Sequence, residues 1–170
     1  MSWLLERLRR HKDDRGMMAN LRCVLVDSKK HRAWPALNRL GVEISNDVSA
    51  YVAGLFATHP EKTDTGNFGA TCKAIELKRG ERRTDDNKLT PTERRFQHLL
   101  AAEGWEELRD RVLRMVRMAR SEGIPVNYQQ MEIDLKILSN PSNTWRDRTK
   151  IRWAAAFWTP GATPATEEDI

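Results

Sequence analysis

The chain has 170 residues, 31% of them charged and 39% hydrophobic, with a formal net charge of +5. Its mean hydropathy of −0.68 argues against a membrane protein, and no apolar run approaches the ~20 residues that one membrane-spanning helix needs. The length suffices for one large domain or two small helical ones, burying roughly 70% of the unfolded surface without disulfides or metals.

Apolar residues recur at three- and four-residue intervals. This predicts helices over 2–10, 14–27, 31–40, 47–59, 67–78, 91–102, 105–122, 128–138 and 144–158. In the first, Trp3, Leu4 and Leu5 precede Arg7, Arg9 and Arg10. An export signal has the opposite order, so the segment reads as a short amphipathic helix and the cytoplasm is the expected compartment. The run Cys23-Val24-Leu25-Val26 could pass for a strand, but no partner strand is near it in sequence, and helix is the better reading. Cys23 and Cys72 are expected as buried, reduced thiols. Pro35 fits the first turn of a helix that starts late, near 32–34.

The clearest helix start is Thr90-Pro91-Thr92-Glu93. It offers a capping hydroxyl, a proline in the first helical position and a glutamate that can answer the cap. Before it, 79–89 is polar and reads as a flexible linker. On the helix over 105–122, Leu108, Val112, Met115, Val116 and Ala119 fall on one face. Arg111, Arg114, Arg117 and Arg120 sweep round the other, read as solvated surface partly paired with Glu106, Glu107 and Asp110. In the last helix Ile151, Ala154, Ala155 and Trp158 make one apolar face, Trp153 and Phe157 project from a second side, and Trp145 from a third. Such a helix packs against two things, and the second is expected to be the other lobe. The expected fold is all-α. It has an N-terminal helical lobe over 1–78, the linker over 79–89, a C-terminal helical lobe over 90–158, and a disordered tail over 159–170.

Charge is uneven along the chain. Up to Val42, ten Lys and Arg residues stand against four Asp and Glu, and the C-terminal part is basic again before the acidic Glu167-Glu168-Asp169. Two basic blocks around a near-neutral one suit two lobes that share an anionic ligand.

No catalytic constellation emerges. His11, His31, His59 and His98 have no His or Cys partner at metal-ligand spacing. Asp13-Asp14 and Asp85-Asp86 are adjacent, so on a helix each pair points about 100° apart and makes no two-metal site. Gly66-Asn67-Phe68-Gly69 lacks the Lys-Ser/Thr of a phosphate loop and reads as a helix start with close backbone packing. No cofactor or metal is expected.

The segment Thr92-Glu93-Arg94-Arg95-Phe96-Gln97-His98-Leu99-Leu100-Ala101 resembles the CasB family, the small subunit of the type I-E CRISPR Cascade complex. The series continues in order with Leu108-Arg109, Val126-Asn127-Tyr128 and Ile151-Arg152-Trp153-Ala154. In the N-terminal half, Ala19-Asn20-Leu21-Arg22, Ala33-Trp34-Pro35 and Phe68-Gly69 look like family helix starts, while Cys23 stands where the family often has a second arginine. The resemblance implies a non-catalytic, all-helical, two-lobed protein, of which two copies sit head to tail in a crRNA-guided antiviral surveillance complex. It further implies contacts with the large subunit, the backbone subunits, the crRNA and the target DNA, and a role in steadying the displaced strand of the R-loop. Base pairing by the guide then reads the sequence while the protein holds backbone.

Arginine suits that task because its planar fork binds a phosphate with two hydrogen bonds. Arg22, Arg94, Arg95 and Arg152 match family positions, and Arg32 and Arg148 join them on charge and spacing alone. Arg95 lies nearer the Phe96–Leu99 face than Arg94 does, so a structural role stays open for it, as plain surface does for Arg148 and Arg152. Two other readings stand beside this one. The first is a helical nuclease: His98 follows Arg94 by four residues, one short of the gap in a common family of helical ribonucleases. The second is a protein-interaction scaffold whose basic faces touch no nucleic acid.

Overall fold

A computed structural model describes residues 2–159. The tail expected from 159 onward lies, but for Thr159, outside the described residues. Nine α-helices appear among them: α1 (Trp3–Arg10), α2 (Arg15–Arg22), α3 (Trp34–Leu40), α4 (Asp47–Thr58), α5 (Phe68–Lys78), α6 (Pro91–Leu100), α7 (Trp105–Glu122), α8 (Tyr128–Leu138) and α9 (Arg146–Phe157). Short 3-10 turns at Cys23–Leu25 and Lys30–Ala33 join α2 to α3. No strand forms among the described residues, and one isolated bridge pairs Lys62 with Val126. The fold is all-α, as the periodicity required. No described helix is long and apolar enough to cross a membrane.

Helix α4 is the pillar. Every residue from Val48 to Thr58 is buried. A helix that is apolar all round must be covered on all sides, and α1, α2, α7, α8 and the first 3-10 turn supply the cover. Gly54 makes one of these contacts possible, since a Cβ there would lie 2.5 Å from Val24 Cγ1. That contact also explains why the helix expected over 14–27 stops at Arg22. Val24 and Leu25 turn inward onto α4, and Cys23 is left half-buried rather than buried. Cys72 is buried, which pushes its thiol up and away from thiolate chemistry at neutral pH.

Polar groups lock α4 to the C-terminal half of the chain. His59 is buried with its Nε2 2.6 Å from the Ile124 carbonyl oxygen. The Tyr128 hydroxyl donates to the His59 carbonyl, and burial pushes this phenol up so that it stays a neutral donor. The Tyr51 hydroxyl donates to the Arg109 carbonyl. Tyr128→Phe keeps the ring and orphans the His59 carbonyl, so unfolding in urea should show a loss of about 1 kcal/mol.

Helices α5 and α9 cross at close quarters. Asn67 caps α5 by accepting from Ala70 N–H and donates from its side chain to the Arg152 carbonyl (3.2 Å). Gly69 sits under Trp153, where a Cβ would come within 2.0 Å of the Trp153 carbonyl oxygen. The close-packing reading of Gly66–Gly69 is therefore met in detail. Trp153 is fully buried, edge-on to Phe68 at 5.4 Å, and its indole N–H donates to Asp134 (2.8 Å).

This crossing corrects the expected faces of the last helix. The buried side carries Thr149, Trp153 and Phe157, and Ile151 is 65% exposed. Two large aromatics four residues apart, one with a partner for its N–H, bury more surface than Ile151 with alanines. Helix α7 presents Leu108, Val112, Met115, Val116 and Ala119 inward as its pattern predicts.

Candidate nucleic-acid interface

The Thr90 start of α6 forms the expected capping box, with Glu93 N–H to Thr90 Oγ1 and Thr90 N–H to Glu93 Oε1 both at 3.0 Å. Glu93 does more than cap. It is 3% exposed and also accepts from Arg83 Nε and Nη2 (2.9 and 2.6 Å) and from Trp158 Nε1 (2.8 Å). The Arg83 guanidinium, with the Thr90 and Trp158 donors, holds its carboxyl down to about 2. The segment expected as a linker is thus tied down. Arg83 grips Glu93, Glu81 accepts from Thr92 N–H, and Arg79 pairs with Glu122.

This lock aims the arginines. With Glu93 and Phe96 held inside, Arg94 and Arg95 emerge from α6 into solvent. Phe96 stacks on Phe157 (4.7 Å between centroids) and tilts against Trp158, which brings α6 beside the end of α9. Arg148 and Arg152 are exposed on α9, and the Arg148 guanidinium lies 4.8 Å from the centre of the Trp145 ring. Arg94, Arg95 and Arg152 make no side-chain hydrogen bond or ion pair among the described residues. Arg95, for which a structural role was open, is exposed like Arg94 and makes no side-chain hydrogen bond, ion pair or ring contact among the described residues.

Arg22 and Arg32 lie elsewhere, at the end of α2 and in the second 3-10 turn, and both are exposed. Arg22 Nη1 donates to the Ala57 carbonyl at the C-terminal end of α4 (3.0 Å), which occupies one of its five N–H donors. The six candidates therefore form two groups: four around α6 and α9, and two beside the 3-10 turns. Among the described residues no hydrogen bond, ion pair or ring contact joins the groups.

A further set of arginines, read from the sequence as partly paired surface, proves to have no carboxylate partner among the described residues. Arg114, Arg117 and Arg120 are exposed on α7 and unpaired among the described residues. Pairing along that helix stops at Arg111–Glu107 (3.5 Å), while Arg109 reaches across to Asp27 (3.0 Å). Their i, i+3, i+6 spacing is visible in the sequence; the lack of carboxylate partners is not.

The groups that enzyme chemistry would need are otherwise engaged or scattered. His59 is tied into the core, His98 is exposed with its carbonyl bonded to Arg111 (2.7 Å), and the described residues include no cluster of three or more His, Cys, Asp or Glu placed to hold a metal.

Fold and surface together define an all-helical basic protein with grouped outward arginines, and comparison places it among CRISPR-associated proteins. Residues 7–158 match the model of CRISPR-associated protein Cse2, and the chain belongs to that family. Its fold is shared with CasB from Thermus thermophilus (TM-score 0.68, 16% identity, 91% of this chain and 94% of that one). It is also shared with CasB from Thermobifida fusca (TM-score 0.63, 16% identity, 92% and 98%) and with M. ruber CasB (TM-score 0.54, 22% identity, 92% and 84%). No curated protein sequence matches at a significant level.

Proposed function

We propose that the chain is a non-catalytic Cascade small subunit that holds nucleic acid by its backbone, steadying the crRNA–target arrangement and the displaced strand of the R-loop in the cytoplasm. The observation that carries this is the set of exposed guanidiniums on α6 and α9 that have no carboxylate partner among the described residues. An arginine with no carboxylate partner retains its full donor set for phosphate. Arg22 and Arg32 in the N-terminal part supply a second set of backbone contacts. The other Cascade subunits and a second copy complete the assembly.

The test is binding to single-stranded DNA across a salt series. The logarithm of the affinity should fall linearly with the logarithm of salt concentration, with no sequence preference. Joint replacement of Arg94, Arg95 and Arg152 by alanine should weaken binding on the order of tenfold at low salt and flatten the slope by about 0.7 for each phosphate no longer neutralised. No binding at low salt, or an unchanged slope in the variant, would sink the proposal.

A further inference from the structure

Three tryptophans are substantially exposed: Trp3 (51%), Trp34 (39%) and Trp145 (49%). Their surroundings differ. Arg7 lies over Trp3, but its guanidinium is committed to the Leu40 carbonyl (2.7 Å). Trp34 lines a cleft of about 610 Å³ walled by Asp27, Asp47 and Glu106 as well as Lys30 and Arg109, and there Arg109 is already spent on Asp27. Trp145 alone carries an arginine, Arg148, that has no carboxylate or carbonyl partner among the described residues.

The Trp145 backbone is also held in place. Its backbone N–H donates to Asn143 Oδ1 (2.8 Å), and its carbonyl accepts from Thr149 N–H and Thr149 Oγ1 (both 3.0 Å). At 100° per residue, Trp145, Arg148 and Arg152 fall within about 60° of one another on one flank of α9. A ring carried on a held backbone, with a guanidinium 4.8 Å from its centre and half the residue's surface in solvent, is placed to take a second flat group.

We infer that Trp145 is a stacking platform for an unpaired nucleobase, with Arg148 and Arg152 holding the phosphates on either side. The inference rests on the nucleic-acid reading above and adds a ligand class to it: a strand whose bases are free to splay out. Stacking on an aromatic is sequence-tolerant because every base has a flat face. The guanidinium over the indole contributes cation–π attraction and stays available to phosphate. A paired duplex keeps its bases inside and gains nothing from Trp145.

The test crosses two changes using the full chain. One probe is oligothymidylate; the other is a strand of the same length whose sugars carry no base. Trp145→Ala should bind oligothymidylate about tenfold more weakly than the parent, with the salt slope unchanged, because a base contact releases no counterion. On the baseless strand, variant and parent should bind alike. Trp145→Phe should recover most of the loss. Equal weakening on both strands, or no weakening on either, overturns the inference while leaving the arginine reading intact. So does a Trp145→Ala variant that loses self-association and binds both strands as the parent does, because Trp145 is then a contact between protein copies. If the parent binds neither strand at low salt, the nucleic-acid reading fails and the platform with it.

Discussion

Gly69→Ala is expected to cost about 3 kcal/mol or more and to lower the melting temperature by roughly 6–12 °C. The added methyl would meet backbone: the Trp153 carbonyl oxygen at 2.0 Å, its carbonyl carbon at 2.7 Å and its Cα at 2.8 Å. A side-chain tip could rotate away, but a helix backbone moves only as a body. Relief therefore requires α9 to lift off α5, which pulls Trp153 from Phe68 and from Asp134. Gly16→Ala is the matched control. Its nearest neighbour is Asp14 Oδ1 at an ordinary 3.6 Å, in a helix where alanine is preferred to glycine. That substitution should raise stability by about 0.5–1 kcal/mol. Thermal melts of the two variants beside the parent decide the matter. Equal small effects would mean that α5 and α9 do not cross so closely.

Glu93→Gln should cost about 2–3 kcal/mol at neutral pH. The amide has one acceptor oxygen where the carboxylate has two, so its NH₂ must face one arm of the Arg83 fork together with either the Thr90 N–H or the Trp158 N–H. The pH dependence gives the sharper signature. Arg83 first, then the Thr90 N–H and the Trp158 indole, hold the carboxyl at about 2, against the ordinary 4.5. The stabilisation is thus complete above the ordinary value and lost as pH falls toward the folded one. At face value it would amount to about 3 kcal/mol. The Arg83 side chain is 39% exposed, and solvent screening brings the figure to about 1–2 kcal/mol. Urea unfolding should show the gap between parent and variant narrowing between about pH 4.5 and 2. A gap that stays constant would locate the effect in packing instead.

The fold is legible in the sequence because its determinants are local. The Thr90 cap, the inward stripe of α7 and the Asn67 cap at the α5 start all act within a few residues of themselves. What the pattern misses depends on distant partners. Val24 and Leu25 break the expected α2 helix because they reach Gly54 on another helix. Periodicity points to the wrong face of α9 because Trp153 is buried by what lies across from it, at Gly69 and Asp134. Glu93 reads as one half of a cap, and nothing in the sequence ties it to Arg83 and Trp158.

The site is legible to a smaller degree, for a related reason. Many of the residues that carry the family resemblance are interior ones: Leu21, Phe68, Gly69, Phe96, Leu99, Val126, Tyr128 and Trp153 are all buried. Asn127 caps α8 and bonds the Gly66 carbonyl. Such a series identifies how the chain packs. The arginines ride on that frame as outward neighbours of core residues, and the sequence shows their presence but not their partners. Arg22 reads as a phosphate ligand and spends a donor on α4, whereas Arg114, Arg117 and Arg120 read as partly paired surface and have no partners among the described residues.

The pairing of α5 with α9 also bears on how the molecule is made. A ribosome delivers α5 early and α9 after every other described helix. Until residues 146–157 emerge, Phe68 and Phe96 have no ring to pack against and the Asp134 carboxylate has no indole to satisfy it. The nascent chain must carry those unfinished surfaces until α9 arrives, whereas the partners that cover α4 are all made before it. The last described helix therefore both clasps α5 and carries Arg148 and Arg152, so a chain cut short before it lacks that clasp and, on the proposed function, part of its hold on the strand.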